Sequence, residues 1–359
     1  MGILKTSLKN FLFTIMALVF VSCAQISYVV EQGMGQFKLL SKAKPNEDVL
    51  KNVRVPKDQK QKIEEIQRLK KYFYQYWNQK ESRIYSETTF LDQDAVTYLV
   101  IASPYTEIKA HETCFAFMGC FPYLGFFKES SAREFADKMK KQEMVTWTRP
   151  VYAYSTLGYF NDSILSSFFH YDEYDLAELI FHELFHTIFF VKNEVDLNEN
   201  LATYFAEGML EDYFKEAGKE YYFLEMREKL KKHEIIKDAV VSKAREVRDL
   251  FLEKAPQTAN EGKELLNNFL TEKFYPELEK KCQIIGIEKN KCRPITEDWN
   301  NARFSALLTY EDSANKLLEL QNKLKLGLKD YYFYISSRYN DYVNESSRLS
   351  FEDYLFKKE

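Results

Sequence analysis

The chain has 359 residues, a formal net charge of −4 from 50 Lys and Arg against 54 Asp and Glu, and 16% aromatic residues, 25 Tyr and 29 Phe among them. No basic stripe interrupts this mildly acidic balance, so nucleic acid is excluded as the expected partner. The apolar content supports a substantial core in one large domain or two lobes, with no internal repeat and no low-complexity tract.

At the amino terminus, Lys5 and Lys9 precede an apolar run from Phe11 to Val21. It is shorter than the roughly 20 residues of a membrane helix and reads as the h-region of a signal peptide. Ser22-Cys23 then resembles a lipoprotein cleavage box, with Phe20 where leucine is usual. The alternative is ordinary secretory cleavage, with Cys23 incidental. Cysteine arithmetic favours acylation. Setting Cys23 aside leaves Cys114, Cys120, Cys282 and Cys292, an even set in an exported chain. Three pairings are possible, and the local spacings favour Cys114–Cys120 and Cys282–Cys292. Loss of Lys5 and Lys9 with the leader would take the formal charge from −4 to −6. The expected location is the bacterial cell envelope (periplasmic or outer membrane), with the chain held to the membrane by its N-terminal lipid.

Residues 1–22 are therefore read as signal peptide and 23–58 as a tether, polar towards Lys62 with Pro45 and Pro56. A helix is expected from Gln59 to Trp77. A sheet-containing lobe, 59–171, should hold strands at 96–102, 121–127 and 144–155, with a crossing helix at 131–141. Pro150 argues that the last strand lies at an edge. From 172 to 359 the chain should be a mainly helical lobe, with helices at 175–192, 196–217, 219–251, 262–281 and 299–325. The expected fold class is α+β, a small mixed sheet lobe joined to a helical one.

The most informative stretch is His182-Glu183-Leu184-Phe185-His186. Residues 175–190 contain no Gly or Pro and are apolar around most of the circumference, as in a buried helix. Histidines at i and i+4 share one helix face and can reach one metal. The adjoining Glu183 stands where a carboxylate can take a proton from activated water. These residue types at this spacing predict a Zn2+ hydrolase, a peptidase, with His182 and His186 as ligands and Glu183 as general base. The structural alternative is a pair of hydrogen-bonded core histidines. A third ligand is expected from the next helix at Glu199. The competing reading makes Asp196 and Glu199 a capping box.

HELFH followed by NENLA resembles the gluzincin metallopeptidases, although the twelve residues from Thr187 to Asn198 make a short gap. The chain is more closely similar to the bacterial putative aminopeptidases, a family of predicted zinc-dependent lipoprotein peptidases. The similar blocks are residues 33–40 (GMGQFKLL), 114–127 (CFAFMGCFPYLGFF), 150–160 (PVYAYSTLGYF), HELFH, NENLA and 300–303 (NNAR). They span most of the chain after the leader. The resemblance implies a gluzincin-like fold, bound zinc and a peptide substrate. Phe185 departs from the small residue common at its position in the family, which should alter packing and not metal binding.

Tyr154, Ser155, Thr156, Leu157 and Gly158 follow Pro150 and are read as a substrate-binding edge strand, with an ordinary edge strand and turn as the alternative. Tyr310 is the candidate oxyanion donor, with Arg303 beside it. Thr203, one turn after Glu199, is read either as a hydrogen-bond partner of a ligand or as a plain helix-face residue. Glu207 is weighed as an anchor for a substrate α-amine. His111, His170 and His233 lack ligand spacing and are read as surface or loop residues. The competing function is a noncatalytic envelope protein, a binding module or scaffold, and the intact Glu183 argues against it.

Overall fold

A computed structural model of the chain describes residues 27–115, 119–153, 161–308, 313–345 and 349–357. The fold is α+β and mainly helical. Residues 27–42 form α1, followed by β1 (Lys44–Pro45), α2 (Asn46–Lys51), α3 (Lys57–Tyr76), β2 (Glu87–Thr89) and β3 (Thr97–Pro104). Next come β4 (Thr113–Phe115), β5 (Gly119–Phe121), β6 (Leu124–Phe126), α4 (Glu129–Lys141), β7 (Met144–Val151) and β8 (Ile164–Leu165). The helical part contains α5 (Glu173–Phe185), α6 (Val195–Glu216), α7 (Glu220–Lys254), α8 (Ala259–Phe269) and α9 (Tyr275–Ile284). It ends with α10 (Arg293–Thr296), α11 (Asn301–Leu307), α12 (Ser313–Leu324), α13 (Leu328–Glu345) and α14 (Phe351–Phe356).

The strands make three small sheets where one mixed sheet is expected from the sequence. The order β1-β2-β8 combines an antiparallel and a parallel pairing. The order β6-β3-β7 is antiparallel, and β4-β5 is a separate hairpin. The division has a physical reason, because most of these strands are only two or three residues long and cannot extend a common ladder. Only β3 and β7 pair over eight residues, from Thr97 opposite Val151 to Pro104 opposite Met144. Pro150 does lie on an edge strand.

The stretch read as a tether is helical from residue 27 to 42 and again in α2. These segments are attached to the body: Tyr28 donates to the Gly125 carbonyl at 3.0 Å, and Asn46 to that of Tyr85 at 2.9 Å.

The main core is built from α3, α5, α6 and α13. Phe73, Trp77, Phe181, Phe185, Phe205 and Tyr331 are buried in it. The bulky Phe185 is accommodated by stacking on Phe205, ring centroids 4.9 Å apart, and by an edge contact with Trp77. A second core joins α7, α8, α9 and α11 and contains the Cys282–Cys292 disulfide. The Cys114–Cys120 disulfide bridges opposing residues of the β4-β5 hairpin.

The NNAR block fastens the helical part to the sheet. Asn300 caps α11 by accepting from the Arg303 amide, and its Nδ2 donates to the Thr146 carbonyl of β7. Asn301 is 1% exposed, and its Nδ2 lies 2.8–3.1 Å from the carbonyls of Pro104, Tyr105 and Glu107. Gly262 lets α8 approach the same turn, since a Cβ there would fall 1.9 Å from the Tyr105 carbonyl oxygen. Asn301→Ala would remove the buried donor shared by three part-buried carbonyls, two of which Ser103 Oγ also reaches, and is expected to cost about 1–3 kcal/mol, read by urea unfolding.

Candidate metal centre

Helix α5 begins with a side-chain cap, Asp172 Oδ1 accepting from the Asp175 amide at 2.9 Å. It ends earlier than its apolar pattern predicts. His186 is the C-cap, and the amides of Thr187 and Ile188 turn back to the Leu184 and Phe185 carbonyls. The Thr187 hydroxyl also donates to the Leu184 carbonyl and lies 2.9 Å from Tyr74 Oη, so side-chain bonds add to the backbone turn that ends the helix. Asn193, with φ 65°, reverses the chain. Asn198 then stitches the turn, accepting from the Val191 amide and donating to the Val191 and Glu194 carbonyls.

Helix α6 starts at Val195, with Glu194 as its N-cap residue. Asp196 therefore lies within the first turn, and the capping-box reading of Glu199 does not hold. The Glu199 carboxylate faces α5 instead. Its Oε2 lies 3.2 Å from His182 Nε2, and its Oε1 lies 3.6 Å from His186 Nε2. Donor atoms of His182, His186 and Glu199 all fall within 4.8 Å of one another. The imidazole centroids are 5.0 Å apart with planes at 83°, so the rings converge from different directions. Thr203 Oγ1 lies 3.2 Å from His182 Nδ1, which orients that ring with Nε2 towards Glu199. His186 Nδ1 is buried without a hydrogen-bond partner among the described residues.

Charge reinforces this geometry. Burial works against a charged His182, but the Glu199 hydrogen bond and the Glu183, Glu199 and Glu178 carboxylates outweigh it and raise its pKa. Burial likewise opposes ionised Glu199, but hydrogen bonds from His182 and His186 hold its carboxyl down at about 2. The cluster is thus a half-buried place of negative potential with two imidazoles, a donor set suited to a divalent cation. Glu183 is half-buried on α5 beside His182. Burial first, and then the Glu183 charge, push the Tyr85 phenol well above its ordinary range. Tyr85 is 2% exposed with φ 58°, a backbone conformation unusual for a large side chain. Nothing in the spacing of 25 tyrosines singles it out.

Glu178 stands one helical turn before His182. Burial raises its carboxyl to about 7, with further contributions from Glu207 and Asp175. Glu207 itself is solvent-accessible on α6. An acid with a raised folded pKa binds more protons folded than unfolded, here between about pH 4.5 and 7. Its stabilising contribution is complete below the unfolded value and is lost as pH rises through the folded one. In chelator-treated protein, Glu178→Gln should flatten thermal stability across this window. It should be the more stable form at about pH 8, by of order 1–2 kcal/mol after solvent screening.

Arg303, His111, His170 and His233 are not brought to this cluster. Arg303 is held elsewhere, 4.2 Å above the Trp299 ring and paired with Glu297. His170 and His233 are exposed, and His111 lies in the loop after β3. Tyr310, Tyr154 to Gly158 and Cys23 lie outside the described residues.

The model of the putative aminopeptidase family matches residues 27–347, which include α5, α6 and the NNAR block. This chain belongs to that family. The membership supports a peptidase at the coarse level. No curated protein and no solved structure matches the chain.

Proposed function

We propose that the chain is a zinc-dependent peptidase with a gluzincin-like active site, acting on peptide substrates at the bacterial envelope. The observation that carries this reading is the convergence of His182, His186 and Glu199 next to Glu183. The residues fit the metal: two imidazole nitrogens and a carboxylate meet in a half-buried site, the three-ligand set of a catalytic zinc. Zinc bound there would polarise a peptide carbonyl and make water more acidic. Glu183 takes the proton of the attacking water and gives it to the leaving amine. Thr203 keeps His182 oriented. Tyr310 remains the proposed oxyanion donor.

Residues 154–158 are proposed to contact an extended substrate. They continue from β7, which lies at its sheet's edge beside a groove lined by Tyr98, Thr146, Thr148 and Tyr152. Asn300 occupies the Thr146 carbonyl, so part of that edge is already closed. The family's name favours cleavage at amino termini. Cys23 is the proposed lipid attachment point, and no helix among the described residues is long and apolar enough to cross a membrane.

The test is purified, zinc-loaded protein incubated with a mixed peptide library and analysed by mass spectrometry. Stepwise loss of N-terminal residues, abolished by chelation and restored by zinc, is expected. A loaded protein that cleaves nothing would favour the scaffold reading.

A further inference from the structure

Helix α1 packs inward through Tyr28 and Leu39 but also turns a row of apolar side chains outward. Its exposed residues include Val29, Val30, Met34 and Phe37, at 42%, 52%, 68% and 73% exposure. Its inward side carries Glu31, Gln32 and Gln36, which have buried polar atoms without hydrogen-bond partners among the described residues. Val30, Met34 and Phe37 follow i, i+4, i+7 and form a stripe along the helix. This placement is not a loose end of chain. Tyr28 is bonded to Gly125, Gly35 lies against the Phe127 ring, and Leu39 packs on the main core. Solvent exposure of these apolar side chains on a firmly attached helix calls for something to cover them.

We propose that this outward face of α1 docks on the lipid bilayer, with Val30, Met34 and Phe37 inserted between headgroups and the helix axis parallel to the surface. The proposal rests on the reading of Cys23 as the lipid attachment site. Cys23 is four residues before the first described residue of α1, so an acyl chain there would hold the helix within roughly 14 Å of the membrane. The exposed residues of α1 include no Asp or Glu, and the carboxylate beside them, Asp92, is neutralised by Lys38 and Lys42. The one charged residue among them is Lys38, whose ammonium is paired with Asp92 at 2.9 Å, so the hold on the bilayer comes from the apolar stripe and not from lysine–phosphate attraction. The lipid supplies the anchor, and an interfacial helix adds a second hold that restricts rotation about it. The contacts of α1 with the sheet and main core would then fix one orientation of the body against the membrane.

The test uses full-length exported protein, reconstituted into phosphatidylethanolamine–phosphatidylglycerol vesicles, with a polarity-sensitive thiol probe on Met34→Cys. Phe37→Cys provides a second probe, and Tyr221→Cys, 82% exposed on α7, a reference. Probes at 34 and 37 should shift to the blue and lose emission to brominated acyl chains, while the probe at 221 does neither. Water-like emission at both α1 positions would overturn the docking. A blue shift without bromolipid quenching, growing with protein concentration, would assign the face to a second copy and also overturn it. Mass spectrometry of the N-terminal peptide reads acylation separately. Water-like probes on an acylated chain sink the docking alone, whereas an unacylated Cys23 removes the anchor reading and the proposal with it.

Discussion

Glu183→Gln should bind zinc as the unaltered chain does, about one per chain, and hydrolyse peptides at least about a hundredfold more slowly, the usual contribution of a positioned base. The amide keeps the size of the side chain and can still hydrogen-bond water, but it cannot accept the proton. Glu183 is half-buried on α5, outside the triad of converging donor atoms, so its replacement leaves that triad intact. Metal content by atomic emission and turnover on a library-selected peptide separate the two roles. Full activity in Glu183→Gln with normal zinc would reject this assignment of the base while sparing the metal site.

Glu199→Ala and His182→Ala should each weaken zinc binding by at least about a hundredfold, and Thr203→Ala by about tenfold. Groups that only orient a ligand are commonly worth ten- to a hundredfold in affinity, and direct ligands more. The gradation follows from the geometry. Glu199 approaches both imidazoles, whereas Thr203 reaches only His182 Nδ1. Competition titration with a chromophoric chelator gives the affinities. Unchanged affinity in Glu199→Ala would make Glu199 an ordinary helix-surface carboxylate.

The histidine pair was legible because helical spacing alone determines that His182 and His186 share a face. Glu199 was legible only as one of two readings. What separates them is the start of α6 at Val195, fixed by the Asn198 bonds to Val191 and Glu194, and asparagine at that position carries no distinctive pattern. The end of α5 was hidden because residues 187–190 keep an apolar composition while Thr187 diverts the backbone with its hydroxyl. Arg303 looked chemical because guanidiniums often serve oxyanions, but Trp147, Trp299 and Glu297 surround it after folding. The short cysteine spacings were informative, and both local disulfides are present. Helix α1 is hard to read from the pattern because Val30, Met34 and Phe37 face outward while Glu31, Gln32 and Gln36 have buried polar atoms, opposite to a core-facing helix.

The α5–α6 hairpin has a consequence for how the molecule comes together. His182, His186 and Glu199 all come from one short stretch closed by a turn, and closing so small a loop carries little chain entropy. A cation held by them would clasp two neighbouring helices without spanning the sheets or the second core. The donor cluster could therefore assemble early, while distant pairings such as β3 with β7 and Asn301 with the Pro104 turn were still being found.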